Sequence, residues 1–142
     1  MPKKFYASGF LYHPDSSKIL LQQENANDPK SLWSLLGSKN IGSETSQENF
    51  VRNAKSFLHL DLLANAVYGV YDYFRLGKNY VSYAIVKKLT DFPTIGKTVF
   101  AWFRIKEITK LALSDQTKQD LIVGQRIIDC EIRKKAGGQT LG

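Results

Sequence analysis

The run Thr45–Leu60, "TSQENFVRNAKSFLHL", restricts the fold more than any other stretch. Thr45 and Glu48 stand three apart, the spacing of a capping box. In such a box the hydroxyl and the carboxylate each satisfy a backbone N–H at a helix start. Phe50, Ala54, Phe57 and Leu58 then recur at helical spacing. The pattern predicts an amphipathic helix from Thr45 to about His59–Asp61, with an apolar stripe that needs a partner surface. The run-in from Leu35 contains Gly37 and reads as a glycine-containing loop, a kind that often prepares a phosphate or metal site. Yet Glu48 is the only carboxylate in the helix, and its spacing from Thr45 assigns it to the cap.

The partner surface is legible on both sides of this helix. "FYASGFLY" (Phe5–Tyr12), the turn "HPDSS" and "KILLQQ" (Lys18–Gln23) read as a first hairpin. "LWSLLG" (Leu32–Gly37) is a short, buried apolar piece. "ANAVYGVYDYF" and "NYVSYAIVKKL" flank "RLGK" and predict a second hairpin, with Gly77 free to take positive φ. Strand alternation puts Tyr71 and Tyr73 on one face, Tyr68 and Phe74 on the other. One face packs in the core and the other is a candidate for ligand stacking. "TVFAWF" is a further strand, followed by a short helix near Lys106–Leu111. Ser114 caps a last helix whose predicted apolar face is Leu121, Ile122, Ile128 and Ile132. The order implies an α/β (α+β) fold with a mixed sheet between helices. A single domain over 1–135 and a flexible basic tail over 136–142 are expected.

Composition narrows the function classes. A chain of 142 residues is long enough for one core without staples. Cys130 is alone, so no internal disulfide forms, the thiol is expected to be buried, and a cytoplasmic, reducing home is expected. No apolar run approaches a membrane span, and "MPKKFYASGF" does not read as a secretory signal. The net charge of +7 favours anionic partners. The lysines and arginines form no dense block, so a nucleic-acid face is not expected. No G-x-S-x-G elbow and no Walker loop occurs. His13, before Pro14 in a turn, and His59, at a helix end, are far apart and carry no metal spacing.

The element order and the stretch Leu35–Leu60 resemble the Nudix hydrolases, whose signature is G-x5-E-x7-R-E-U-x-E-E-x-G-U, with U a bulky aliphatic residue. Without a gap, Ser38 falls at the first Gly, Glu44 at the first Glu and Arg52 at the Arg. Ala54 and Leu60 fall at the U positions, and His59 at the second Gly. Asn53, Ser56 and Phe57 fall where the family carries its helix glutamates. "ASGFLYHPDSSKILLQQ" resembles the family's first hairpin and "FAWF" its strand before the closing helix. "WSLLGS" resembles W-x-L-P-G-G, with Leu36 in place of Pro.

The resemblance implies an α/β/α sandwich and a structural ion pair between Glu44 and Arg52. In the family, helix glutamates hold Mg²⁺ or Mn²⁺ for attack of water on a phosphoanhydride. Neutral Asn53 and Ser56 and apolar Phe57 leave the metal position degenerate, so no cofactor is expected. The resulting expectation is a non-hydrolytic domain that binds a nucleotide or other phosphorylated small molecule, with Gly37, Ser38, Lys39, Tyr71 and Tyr73 as candidate contacts. A homodimer is frequent in the family. The alternative is an active hydrolase using Mg²⁺ or Mn²⁺, with Glu44 and Glu48 as the first catalytic candidates and Asp61, Asp115 and Asp120 as further carboxylates. A protein-interaction module is the second alternative.

Overall fold

The computed structural model describes residues 4–141, with side chains up to Lys134. The strands are β1 (Phe5–His13), β2 (Lys18–Gln23), β3 (Trp33–Ser34), β4 (Leu36–Lys39), β5 (Val67–Phe74), β6 (Lys78–Ile85) and β7 (Val99–Arg104). Helix α1 (Ser46–Leu58) lies between β4 and β5, and α2 (Asp115–Leu141) closes the chain. The main path of the sheet runs β3-β2-β1-β6-β5, with β7 on β2 and β4 on β1. β1 and β6 are parallel while the other ladders are antiparallel, so the sheet is mixed as expected.

β1 organises the sheet. Its first half pairs with β4, from Tyr6–Lys39 to Gly9–Leu36, and its end pairs with β2 at Tyr12–Ile19. Alternate residues of β1 serve two cores. Phe10 and Tyr12 join Val81, Tyr83, Leu121 and Ile128 beneath α2. Leu11 joins Leu20, Leu36, Phe50 and Leu58 beneath α1. Helix α1 sits so close to the sheet that a Cβ on Gly9 would meet the Ser82 carbonyl and lie 2.7 Å from Phe50 Cε2.

The capping box at Thr45 and Glu48 forms as its spacing predicts, and Ser114 accepts from the Thr117 N–H at 3.1 Å. Several expectations need correction. "LWSLLG" becomes two short strands, so Gly37 lies in β4 and not in a loop. The short helix expected near Lys106–Leu111 is present as a 3-10 helix, Ile105–Lys110. Of the predicted α2 face, Leu121 and Ile128 are buried, with Gly124 beside them, while Ile122 and Ile132 are exposed. Cys130 is exposed, on the solvent side of α2. The backbone of α2 is helical to Leu141. The side chains of 136–142 lie outside the described residues.

The tyrosine strand holds another correction. The β5–β6 register slips between Gly69 and Tyr71, so Val70 is an extra residue. Such a bulge inverts the alternation. Tyr68 therefore pairs with Tyr83 on the α2 side, the side of Tyr71 and Tyr73, and its ring lies 5.4 Å from that of Tyr83. Phe74 stays on the opposite side with Asp72.

His59 ends α1 with φ 52°, and its N–H bonds back to Ala54 and Lys55. A left-handed conformation is strained for any residue with a Cβ. His59→Gly should therefore raise stability by about 0.5–1 kcal/mol, net of the greater freedom of glycine in the unfolded chain. Urea denaturation of the two proteins checks this, and a lower midpoint for the variant would contradict it.

Candidate functional site

The end of β4, the segment 40–45 and the first turns of α1 meet in one hydrogen-bonded cluster. Its centre is a forked ion pair: Arg52 Nη2 lies 2.9 Å from Glu44 Oε1, and Nε 3.1 Å from Oε2. The same guanidinium donates to the Ser38 hydroxyl and to the Lys39 carbonyl, both at 3.2 Å. Glu44 also accepts from the Ile41 N–H at 2.9 Å and the Asn49 amide at 3.0 Å. The Arg52 hydrogen bond is the largest cause that holds the Glu44 carboxyl below its ordinary value; cover from solvent opposes it, and the Ile41 N–H adds to it. The same bond raises Arg52.

Behind this pair lie Asn49 and Asn53, 0% and 1% exposed. Asn53 donates to Asn49 Oδ1 at 2.9 Å, and its own Oδ1 accepts from the Ser38 hydroxyl at 3.0 Å. Asn49 donates in turn to the carbonyls of Ser38 and Lys39. Among the described residues no buried side-chain polar atom lacks a partner. The cluster is therefore a closed network whose two charges cancel. The role of Asn49 is not marked by any motif; it emerges only when the loop folds back over the helix.

These residues do not fit a divalent ion. Mg²⁺ and Mn²⁺ are best served by several carboxylate oxygens. Asn53 is neutral, and its oxygen is already engaged by Ser38. Ser56 faces solvent, and Phe57 packs against the α1-side core. The Arg52 guanidinium, donating to the same Ser38 hydroxyl, adds positive charge beside that position.

The remaining carboxylates are dispersed. Glu48 Oε1 caps the helix by accepting from the Thr45 N–H at 2.8 Å. Asp61 pairs with Lys55 at 2.8 Å, with both side chains largely exposed. Asp115 is exposed at the start of α2. Asp120 is buried on the α2 side of the sheet, where it accepts from the Tyr71 hydroxyl at 2.6 Å and from Gln116 at 2.9 Å. Burial raises its pKa, and those two hydrogen bonds pull it back. Among the described residues no three His, Cys, Asp or Glu side chains come together to hold a metal ion. His13 is buried, bonded to Ser16 and the Lys87 carbonyl, and His59 is exposed.

The candidate ligand contacts fall in different places. Gly37 is held in β4 by close approach, since a Cβ there would stand 2.7 Å from the Ala7 carbonyl. Ser38 turns into the network, whereas Lys39 extends outward and is exposed. Tyr71 and Tyr73 are half-buried against the α2-side core, and Tyr71 is tied to Asp120.

The fold is that of the Nudix proteins. A mutT/nudix family protein from Listeria innocua matches with a TM-score of 0.72 and 15% identity, over 93% of this chain and 98% of its own. The NUDIX domain of Shewanella oneidensis NrtR, solved with ADP ribose, matches with a TM-score of 0.68 and 14% identity over 90% of each chain. The C-terminal domain of mouse MUTYH, solved with human PCNA, matches with a TM-score of 0.67 and 13% identity, over 89% and 90%. No protein-family model and no curated protein matches the sequence.

Glu44→Ala removes the counter-charge of Arg52, one acceptor of the Asn49 amide and the acceptor of the Ile41 N–H. The Glu44 side chain is 14% exposed and that of Arg52 33%, between a buried and a surface pair. The expected cost is about 1–3 kcal/mol near neutral pH. Because the folded-state pKa of Glu44 is depressed, this stability is present above its ordinary value of 4.5 and lost as pH falls below it. Urea titrations of wild type and variant at pH 7 and pH 3 check this: the gap should narrow in acid, and an equal gap at both would contradict the assignment.

Proposed function

We propose that the protein is a Nudix-fold domain that binds a nucleotide or another phosphorylated small molecule and has lost metal-dependent hydrolysis. The observation that carries this reading is the chemistry of the α1 donor set. Where the resemblance implies three carboxylates, Asn53 is bound into a neutral network, Ser56 faces water and Phe57 packs in the core. Loss of a positioned base alone typically costs ~10²–10⁴ in rate, before the loss of a metal is added. The retained Glu44–Arg52 pair holds the frame without supplying a metal ligand.

Two further observations support binding of an anionic ligand. The net charge is +7. The NrtR domain, which shares the fold, was solved with ADP ribose. The free thiol of Cys130, exposed on α2, supports a reducing, cytoplasmic setting. A protein-interaction module is the second reading. It is favoured by Phe74 and Leu76, 78% and 107% exposed at the tip of the β5–β6 hairpin.

The test is a melting-temperature screen with ADP, ADP-ribose and nucleoside triphosphates, each with Mg²⁺, with Mn²⁺ and with EDTA, beside an assay for released phosphate or nucleoside monophosphate. The expected result is a stabilising shift that persists in EDTA, with no metal-dependent turnover. Turnover abolished by EDTA would overturn the reading and make Glu44, Glu48 and Asp61 the first residues to replace. No shift with any of these compounds would favour the interaction module.

A further inference from the structure

A cleft of about 400 Å³ opens where the start of β1, the end of β4 and the β5–β6 turn meet. That volume is in the range of small-molecule sites. The strand register makes it. Tyr6 of β1 stands opposite Lys39 of β4 on one side and Asn79 of β6 on the other. A cation, an aromatic ring and an amide thus form one row across three adjacent strands, each about 4.8 Å from the next. Lys4 extends the row at the mouth. By strand alternation this row shares the face of Phe10 and Tyr12, the α2 side, and is separated by the sheet from Asn53 and Ser56 on α1.

The chemistry of the row suits an anion attached to a planar group. No acidic residue lines the cleft. Lys4 and Lys39 are exposed and have no acidic partner among the described residues. Lys78, also on the wall, is already committed, 3.0 Å from Asp72 and 4.6 Å from the centre of the Phe74 ring. Tyr6 is 42% exposed and offers a ring face. Asn79 spends its amide N–H groups on the Arg75 and Gly77 carbonyls at 3.1 and 3.0 Å, so its Oδ1 remains an acceptor for a ligand donor. Asn40 Oδ1 accepts from the Phe5 N–H at 2.8 Å and fixes the wall. The Lys39 carbonyl is bonded by Arg52 and Asn49, which anchors the backbone of this lysine to the α1 network.

We propose that the cleft bounded by Lys4, Tyr6, Lys39 and Asn79 receives the phosphorylated ligand, with its phosphates on the two lysines and its planar ring on Tyr6. This rests on the ligand class proposed above and adds its location and orientation. The positive charge that a metal supplies on the α1 side is supplied here by two ammonium groups on the other face of the sheet. The site needs no divalent ion, and its affinity falls with salt as exposed charge pairs do.

Calorimetric titration of the full chain in EDTA with ADP, ADP-ribose, inorganic pyrophosphate and adenosine tests it. ADP should bind, pyrophosphate should compete with it, and adenosine should bind more weakly. Lys4→Ala/Lys39→Ala should weaken ADP by roughly ten- to hundredfold, the scale of a lost charge-assisted hydrogen bond, with an unchanged melting temperature of the free protein. The exposed pair Lys87→Ala/Lys88→Ala removes the same charge elsewhere and should change affinity by less than about twofold, since these lysines lie outside the cleft. Equal ADP affinity in wild type and Lys4→Ala/Lys39→Ala would overturn this location while leaving ligand binding intact. Equal weakening in both double variants would reduce the effect to net charge and also overturn it. Failure of ADP, ADP-ribose and pyrophosphate alike to bind wild type would overturn this inference and the proposed function together.

Discussion

The forked pair between Glu44 and Arg52 holds the segment after β4 against the first turns of α1. Arg52 spends its remaining donor capacity on Ser38 and the Lys39 carbonyl, and Glu44 spends its own on Ile41 and Asn49. The two charges cancel, so the helix can come down close to the sheet without leaving a buried charge. The approach of Phe50 to Gly9 and the complete cover of Asn49 and Asn53 follow from that seating. Without the pair, only the amide hydrogen bonds of Asn49 and Asn53 to Ser38 and Lys39 would hold the loop over the helix.

The same seating divides the molecule functionally. On the α1 face, among the described residues, each buried side-chain polar atom is satisfied and no cluster of three His, Cys, Asp or Glu side chains stands open for a hard cation. On the α2 face, near the start of β1, Lys4 and Lys39 have no acidic partner among the described residues, and Tyr6 and Asn79 face each other across strands of fixed register. In the proposed arrangement, recognition of a phosphorylated molecule does not depend on carboxylates of the helix.

Features set by neighbours in sequence were legible before the structure. Thr45 and Glu48 cap a helix through contacts three residues apart, and "RLGK" closes a hairpin because Gly77 adopts φ 121°. The Glu44–Arg52 pair was legible only through the spacing of the Nudix signature. Features that depend on long-range registration were not. Asn49 and Asn53 look like ordinary polar helix positions until Ser38, eleven and fifteen residues away, folds over them. The bulge at Val70 turns Tyr68 to the side of Tyr71, and its one local sign is the isolated Gly69 inside the strand pattern. Ile122 and Ile132 have the hydrophobicity of core residues yet face solvent, because apolar residues are not confined to the interior. The row Lys39–Tyr6–Asn79 brings together three strands and two hairpins and has no local signature.

The central claim is that the α1 frame persists without a divalent-ion site. Free Mn²⁺ in solution gives a six-line electron paramagnetic resonance signal that is lost on binding to protein, so titrating Mn²⁺ against the full chain, with and without ADP, reads the site directly. The account predicts that wild-type protein leaves the signal no weaker than ADP alone does, and that Asn53→Glu/Ser56→Glu, if folded, diminishes it. Stoichiometric loss of the signal with the wild-type chain at micromolar Mn²⁺ would contradict the account.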